Sequence, residues 1–192
     1  MEQLRAILSE HVSLSEEAWQ AIKERSYLRK LPLEAFFTAS GEPVREVAYV
    51  THGLLRSFYL EENGAEWNEK FIQPGDFMVA NVNPEEPSKV FIQALEDTAY
   101  IGIQYADYVQ LTERYPEIAL VMHKVTAQSM SLKQDRLMTF MAMNARDRYT
   151  YFREIYAEVA DRIPQYHVSS YLGITPTQLS RLRKEIAANQ QM

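Results

Sequence analysis

The spacing of apolar residues divides the first two thirds of the chain into regions of different period. Residues 1–25 have a helical spacing, and Ser13 followed by Glu16 predicts a capping box at a helix start. From about residue 28 to residue 105, short runs rich in β-branched and aromatic residues alternate with turn signals, of which Asn63-Gly64 is the strongest hairpin signal. Many short strands at this spacing predict a β-sandwich or a small barrel.

A long helix is predicted from Pro116 onward, because the chain up to residue 143 has helical spacing and no internal glycine or proline. At about 1.5 Å per residue it would be about 40 Å long, which exceeds one small sandwich. A stripe recurs every seven residues and is flanked by further apolar side chains: Ile118, Val125, Leu132 and Thr139, with Val121, Met122 and Phe140 beside them. We predict that this stripe forms a parallel dimer seam; its packing on the sheet is the alternative.

The next segment has an amphipathic helical pattern up to Pro164, and residues 165–186 then predict a helix-turn-helix. Two short helices that cross steeply need a small residue at their contact and a glycine at the tight turn, and Ser169 and Gly173 meet these needs. Five apolar side chains would face inward: Val168, Leu172, Ile174, Leu179 and Leu182. Thr175 is the predicted N-cap of the second helix, with Pro176 as its first residue.

The second of these helices has a polar and basic outer surface. Arginine can pair with guanine and glutamine with adenine in the major groove, and serine or threonine with a base or a phosphate. Arg183 and Lys184 suit phosphate contacts, which make binding salt-dependent. The predicted DNA-binding residues are Thr175, Thr177, Gln178, Ser180, Arg181, Arg183 and Lys184. The alternative is an ordinary helical hairpin with a solvated face.

Composition excludes several classes of site. The 192 residues include no cysteine, which excludes disulfides, cysteine nucleophiles and thiolate-bound clusters. The four histidines lie far apart without metal-ligand spacing, so we expect no metal, no cofactor and no catalytic site. No apolar run is long enough to cross a membrane and no secretory signal is visible, so we expect a cytoplasmic protein without a membrane partner.

Charge is distributed unevenly along the chain. The net charge is −6, but residues 1–143 carry −8 while residues 144–192 carry +2, from seven arginines and lysines against five acidic residues. A locally basic surface matters more for nucleic-acid binding than the total charge. The basic part of the chain is the part that contains the predicted helix-turn-helix.

With these residues in view, the chain resembles the Crp/Fnr family of bacterial regulators over nearly its whole length. The matching segments are GEPVREVAYVTHGLLRSFYLEENG and FIQPGDF, NARDRYTYF after the long helix, and SSYLGITPTQLSRLRKEI near the end. The resemblance implies an α+β fold in three parts. These are a sensor domain with a cyclic-nucleotide-binding-like, double-stranded β-roll over residues 1–115, a dimerisation helix over 116–143, and a helix-turn-helix DNA-binding domain over 144–192.

The resemblance also implies partners and roles. It implies a homodimer, held together through residues 116–143, that is not an enzyme and regulates transcription by binding double-stranded DNA at a two-fold-related operator. It places Arg181 on the bases. RNA polymerase is a further candidate partner.

Three features depart from the family pattern. Only AANQQM follows the second helix, where the family's hairpin wing would stand. Thr177 stands where many members carry a base-reading glutamate, so the operator should differ from theirs. In the ligand cassette, Val79-Ala80 replaces a Gly-Glu pair and Ser88-Lys89 replaces an Arg-Ser/Thr pair. Lysine lacks the bidentate fork of arginine.

These changes alter the expected ligand. Glu85 and Glu86 would repel a phosphate near Lys89, so we predict that cyclic AMP does not bind by the usual contacts. The effector pocket would then hold an unknown small molecule or nothing. Its predicted residues are Gly75, Asp76, Val79, Ala80, Ser88 and Lys89.

Two other functions remain open at this stage. A cupin-type metal enzyme would need clustered ligands, and only His52 with Glu61, Glu62, Glu66 and Glu69 could supply them. A sensor or interaction module that has lost DNA binding is the other alternative, favoured by the acidic total charge.

Overall fold

The computed structural model describes residues 1–79 and 86–189, so the predictions that concern Ala80 and Glu85 lie outside the described residues. Two short helices begin the chain, α1 (Glu2–His11) and α2 (Glu16–Arg25). The capping box predicted at Ser13 is wrong, because α2 begins two residues later than it requires. The hydroxyl of Ser15 caps α2 instead and accepts from the Ala18 N–H.

Eight strands follow and form two four-stranded antiparallel sheets, as the pattern of short apolar runs predicts. The strands are β1 (Tyr27–Leu31), β2 (Phe36–Thr38), β3 (Glu46–His52), β4 (Leu55–Leu60), β5 (Glu66–Ile72), β6 (Phe77–Met78), β7 (Phe91–Ala94) and β8 (Thr98–Gln104). One sheet has the order β1-β8-β3-β6 and the other β2-β7-β4-β5. We call this two-sheet unit the roll.

The β4–β5 hairpin turns at Asn63-Gly64, and Gly64 has a φ of +84°, so this prediction is confirmed. Further along the hairpin the register shifts. Phe58 pairs with Asn68 and Ser57 pairs with Lys70, which leaves Glu69 as an extra residue in β5. This β-bulge lies on the side of the roll that faces the helices described next.

Helix α3 (Tyr105–Arg114) leads into α4 (Pro116–Ala142), which begins at the predicted proline. The predicted seam along α4 is wrong for most of its members. Ile118, Val121 and Thr139 are buried, and Val125 is half-buried in a core shared with α1 and α2 of the same protomer. Tyr49 and Ile101 of the sheet belong to the same core, so the alternative, packing on the sheet, is correct for this part of the stripe.

Three helices complete the described chain: α5 (Ala145–Ile155), α6 (Gln165–Leu172) and α7 (Pro176–Asn189). The helix predicted up to Pro164 ends earlier, at Ile155, and buried turns that include Val159 and Ile163 replace its second half. Leu54 and Phe71 of the roll share one hydrophobic cluster with these helices. None of the helices among residues 1–79 and 86–189 is long and apolar enough to cross a membrane.

Candidate nucleic-acid interface

The turn between α6 and α7 has the predicted geometry. Gly173 has a φ of +65°, and a Cβ built there would lie 2.8 Å from a ring carbon of Phe140 in α4. Both conformation and space therefore require glycine. The N–H of Ile174 donates to the carbonyl of Ser169, which closes the end of α6, and Ser169 is buried at the helix contact.

Helix α7 starts with a reciprocal capping box. The N–H of Gln178 donates to the hydroxyl of Thr175 at 3.2 Å, and the N–H of Thr175 donates to the Gln178 side-chain oxygen at 2.9 Å. The prediction that Thr175 is the N-cap is confirmed. Gln178 is one of the predicted base-reading residues, yet its side-chain oxygen already accepts from the Thr175 N–H. A bidentate contact with adenine would need that oxygen, so it would break one bond of the cap.

The remaining predicted DNA-binding residues lie exposed on one side of α7. Within the described chain, no hydrogen bond or salt bridge engages the side chains of Thr177, Ser180, Arg181, Arg183 or Lys184. The charge of Arg183 does lie close enough to Asp161 to help lower the pKa of that carboxyl. Leu179 on the opposite side is fully buried in the shared hydrophobic cluster. The inner and outer faces of α7 are therefore arranged as the sequence indicates.

A buried polar network fixes α6 to the roll. The guanidinium of Arg56, only 4% exposed, donates to the side-chain oxygen of Gln93, to the carboxylate of Glu66 and to Nδ1 of His167 in α6. Because arginine can only donate, Nδ1 accepts and the imidazole is neutral. Burial and the neighbouring Arg56 charge lower the pKa of His167 to about 4.

A second arginine joins α4, β5 and α6. The guanidinium of Arg136 donates to the carbonyl oxygens of Asn68, Glu69 and Tyr171, and it lies 4.2 Å from the centre of the Tyr171 ring. Burial lowers its pKa below the usual arginine value. The sequence does not indicate the roles of these two arginines and His167, since an isolated polar residue gives no sequence signal that it is buried. The two networks hold α6, and through it α7, on the roll.

The predicted effector residues are divided between two adjoining cavities, which share Glu69, Lys70 and Lys133 among their lining residues. Gly75 and Asp76 line a cavity of about 620 Å³, whereas Val79 and Lys89 line a smaller one of about 200 Å³ between the roll and α4. Ser88 is buried, and its hydroxyl donates to the carbonyl of Val90 in its own loop. The side chain of Lys89 is 79% exposed and pairs with Glu86.

The residues of the cupin alternative are also separated by their contacts. Glu69 pairs with Lys133 and Glu66 with Arg56, while His52 is exposed at the end of β3. Among the residues that the structure describes, no three His, Asp or Glu side chains form a group that could hold a metal ion.

Curated proteins that are similar in sequence to this chain are regulatory proteins. An anaerobic regulatory protein of Pasteurella multocida is 25% identical over 170 residues, which cover 80% of this chain and 61% of that protein. The chain thus spans about three fifths of the length of this curated relative. No family model matches the chain.

Solved structures share the fold. FixK2 from Bradyrhizobium japonicum superposes with a TM-score of 0.78 at 19% identity and 86% coverage of both chains. A Eubacterium rectale protein assigned to the Crp/Fnr family has a TM-score of 0.72 at 15% identity, covering 92% of this chain and 85% of that one. This chain is therefore similar in sequence to that anaerobic regulatory protein, and it shares the fold of these solved structures, one of which is assigned to the Crp/Fnr family.

Proposed function

We propose that this protein is a homodimeric transcription regulator that binds specific double-stranded DNA through α7. The observation that carries the proposal is the exposed outer side of α7, where no hydrogen bond or salt bridge within the described chain engages the side chains of Arg181 and Lys184. An arginine held on a helix in this way can form the bidentate contact that guanine offers in the major groove. Acting on DNA, the protein would work in the cytoplasm.

The rigid attachment of α7 to the roll supports this proposal. A capping box, a left-handed glycine turn and the Arg56 and Arg136 networks fix α7 relative to the roll. A reading helix held in this way loses little conformational freedom on binding, which favours affinity. The sensor, dimerisation and DNA-binding parts would be residues 1–115, 116–143 and 144–192.

A second apolar stripe on α4 supplies the dimer seam in place of the predicted one. Leu120, Met130, Leu137 and Met141 are 47%, 65%, 61% and 75% exposed, on the face away from the protomer's core. Residues 120, 127, 134 and 141 repeat every seven positions, and Met130 and Leu137 stand three positions after two of them. This is the a and d spacing of a parallel coiled coil. We call these six residues the heptad seam: Leu120, Ala127, Met130, Gln134, Leu137 and Met141.

The effector of this regulator would be a small molecule other than cyclic AMP. Lys89 points into solvent beside Glu86, so the Ser88-Lys89 pair offers no buried cation to a cyclic phosphate. In a thermal-shift titration with cyclic AMP, we expect no saturable rise in the unfolding temperature. A clear saturable rise would overturn this part of the proposal.

Selection of bound duplexes from random DNA tests the function as a whole. We expect enrichment of a two-fold-related sequence whose half-site centres lie about 10 base pairs apart, since two recognition helices in a dimer enter successive major grooves. Binding should weaken steeply as salt rises. Absence of any enriched sequence would refute the proposal and favour an interaction module without DNA binding.

A further inference from the structure

The larger cavity, about 620 Å³ in volume, lies where the roll, α4 and the C-terminal helices meet. Aromatic and apolar side chains from all three parts line it, among them Phe71, Phe77, Leu132, Tyr156 and Tyr171. Its volume is typical of sites for small organic ligands. The smaller cavity of about 200 Å³, which Val79 and Lys89 line, adjoins it and shares Lys70 with it, and we call this smaller cavity the roll pocket.

A partner copy on the heptad seam would leave this cavity open. The α4 residues that line it include Val125, Leu132 and Arg136, which lie on the face of the helix that is turned toward the roll. Of the seam residues, Leu137 lines the cavity, whereas Met130 and Gln134 do not. Consecutive residues of an α-helix are rotated by about 100°, which places Met130 and Gln134 on the side of α4 away from Val125 and Arg136, with Leu137 at the edge between the two sides.

The cations on the cavity wall are only partly neutralised. Lys133 pairs with Glu69 at 2.8 Å, but Lys70 has no hydrogen-bond or ion-pair partner among the described residues, and burial lowers its pKa. Arg136 meets only carbonyl oxygens and no carboxylate. Burial raises the pKa of the Asp76 carboxyl on the same wall, although the Gln73 N–H and the nearby Lys70 charge act to lower it.

The β-bulge in β5 accounts for the position of Lys70. Successive side chains of a regular strand point to opposite faces, so Glu69 and Lys70 would normally lie on different sides of the sheet. The extra residue at Glu69 breaks this alternation, and both side chains line the cavity. Arg136 in turn binds the carbonyls of the bulge, at Asn68 and Glu69.

Residues with unsatisfied polar atoms also line the larger cavity. In the described part of the chain, two buried side-chain atoms lack a hydrogen-bond partner, the side-chain oxygen of Gln73 and Nε of Arg136. Both residues line this cavity. Buried polar groups in proteins nearly always have partners, so an oxygen that lacks a donor and an N–H that lacks an acceptor in the lining of one cavity indicate a missing polar molecule.

From these observations we propose that the cavity binds an aromatic organic anion that also carries a hydrogen-bond donor. The anionic group offsets the charges of Lys70 and Arg136, the ring packs among Phe71, Tyr156 and Tyr171, and the donor serves Gln73. Binding at this site does not depend on the chain binding DNA, and any effect of the ligand on DNA affinity rests on the proposed function and is measured separately.

Calorimetric titration of the full chain with 6-hydroxy-2-naphthoate tests this site, with the uncharged 6-hydroxy-2-naphthamide as its matched control. We expect one naphthoate per protomer and at least tenfold weaker binding of the amide. Lys70→Met should weaken naphthoate binding at least tenfold and leave amide binding unchanged. Lys30→Met, on the exposed side of β1, should alter neither.

A second pair of variants locates the bound molecule. Leu132 lines only the larger cavity and Thr126 only the smaller one, and both are on α4. Leu132→Trp should abolish naphthoate binding, whereas Thr126→Trp should leave it intact. The reverse pattern would place the ligand in the roll pocket and overturn the proposal, as would equal affinity for the acid and the amide or no binding by the folded wild-type chain.

Discussion

The buried imidazole of His167 should make the stability of the protein depend on pH. His167 is 3% exposed, and its Nδ1 accepts from Arg56 at 3.0 Å and from the side-chain amide of Asn68 at 3.3 Å. A proton on Nδ1 would remove both acceptor contacts and place a second cation against Arg56. The folded chain therefore resists protonation of this residue.

The size of the effect follows from the pKa values. The pKa of His167 falls from 6.5 to about 4 on folding. Each pKa unit between the folded and unfolded chain corresponds to about 1.4 kcal/mol, which gives a limit of about 3 kcal/mol. Between these two pKa values the unfolded chain binds more protons, so the contribution is complete above pH 6.5 and is lost as the pH falls toward 4. At pH 4.5 we expect about 2.5 kcal/mol to be lost.

Urea unfolding of the wild type and of His167→Asn, at pH 7 and pH 4.5 and at one protein concentration, measures this loss. Asparagine keeps an acceptor near the position of Nδ1 but does not titrate. The wild type should lose about 2.5 kcal/mol more than the variant on acidification, because other titrating groups act equally in both proteins. His52→Asn, which removes an exposed histidine, controls for the substitution. Equal losses in the wild type and His167→Asn would refute the reasoning.

Three further predictions concern the turn, the cap and the seam. Gly173→Ala should lower the free energy of unfolding by about 2–3 kcal/mol, since it adds a clash with Phe140 to the strain of the left-handed backbone. Gly64→Ala, where a Cβ would meet open space, should lower it by only about 1 kcal/mol. Denaturant unfolding of both variants measures the difference, and equal losses would contradict the close contact at Gly173. Thr175→Ala should cost about 1 kcal/mol in the same assay through loss of the cap on α7, and Thr177→Ala, which removes a hydroxyl outside the cap, should cost much less. Met130→Glu should convert the dimer to monomers in sedimentation at micromolar concentration, while Gln128→Glu, outside the seam, should not; a dimeric Met130→Glu protein would exclude the heptad seam.

The features that the sequence predicted correctly are those with local signals. A left-handed glycine at position 173 and an Asn-Gly pair at position 63 each require one backbone geometry, and the structure contains both turns. The start of α4 at Pro116 is equally local, because proline fits the first position of a helix.

Features that depend on distant contacts were not predictable in the same way. Helix α4 has apolar residues on two sides, and periodicity alone does not tell which side meets the protomer's own core. The stripe through Ile118 and Val125 proved to be the inner one. Arg56 and His167 stand 111 positions apart, and a polar residue in a strand or helix normally indicates a solvated position. Their burial becomes visible only when α6 packs on β5.

The central claim is that the exposed side of α7 reads DNA, and one comparison tests it most directly. On a duplex obtained by selection, fluorescence anisotropy at fixed salt would compare the wild type with Arg181→Ala, with Lys30→Ala on the roll as control. Loss of a bidentate guanine contact in each half-site predicts at least a tenfold fall in affinity, together with relaxed base preference at one position per half-site. An Arg181→Ala protein that keeps full affinity and full base preference would contradict the account.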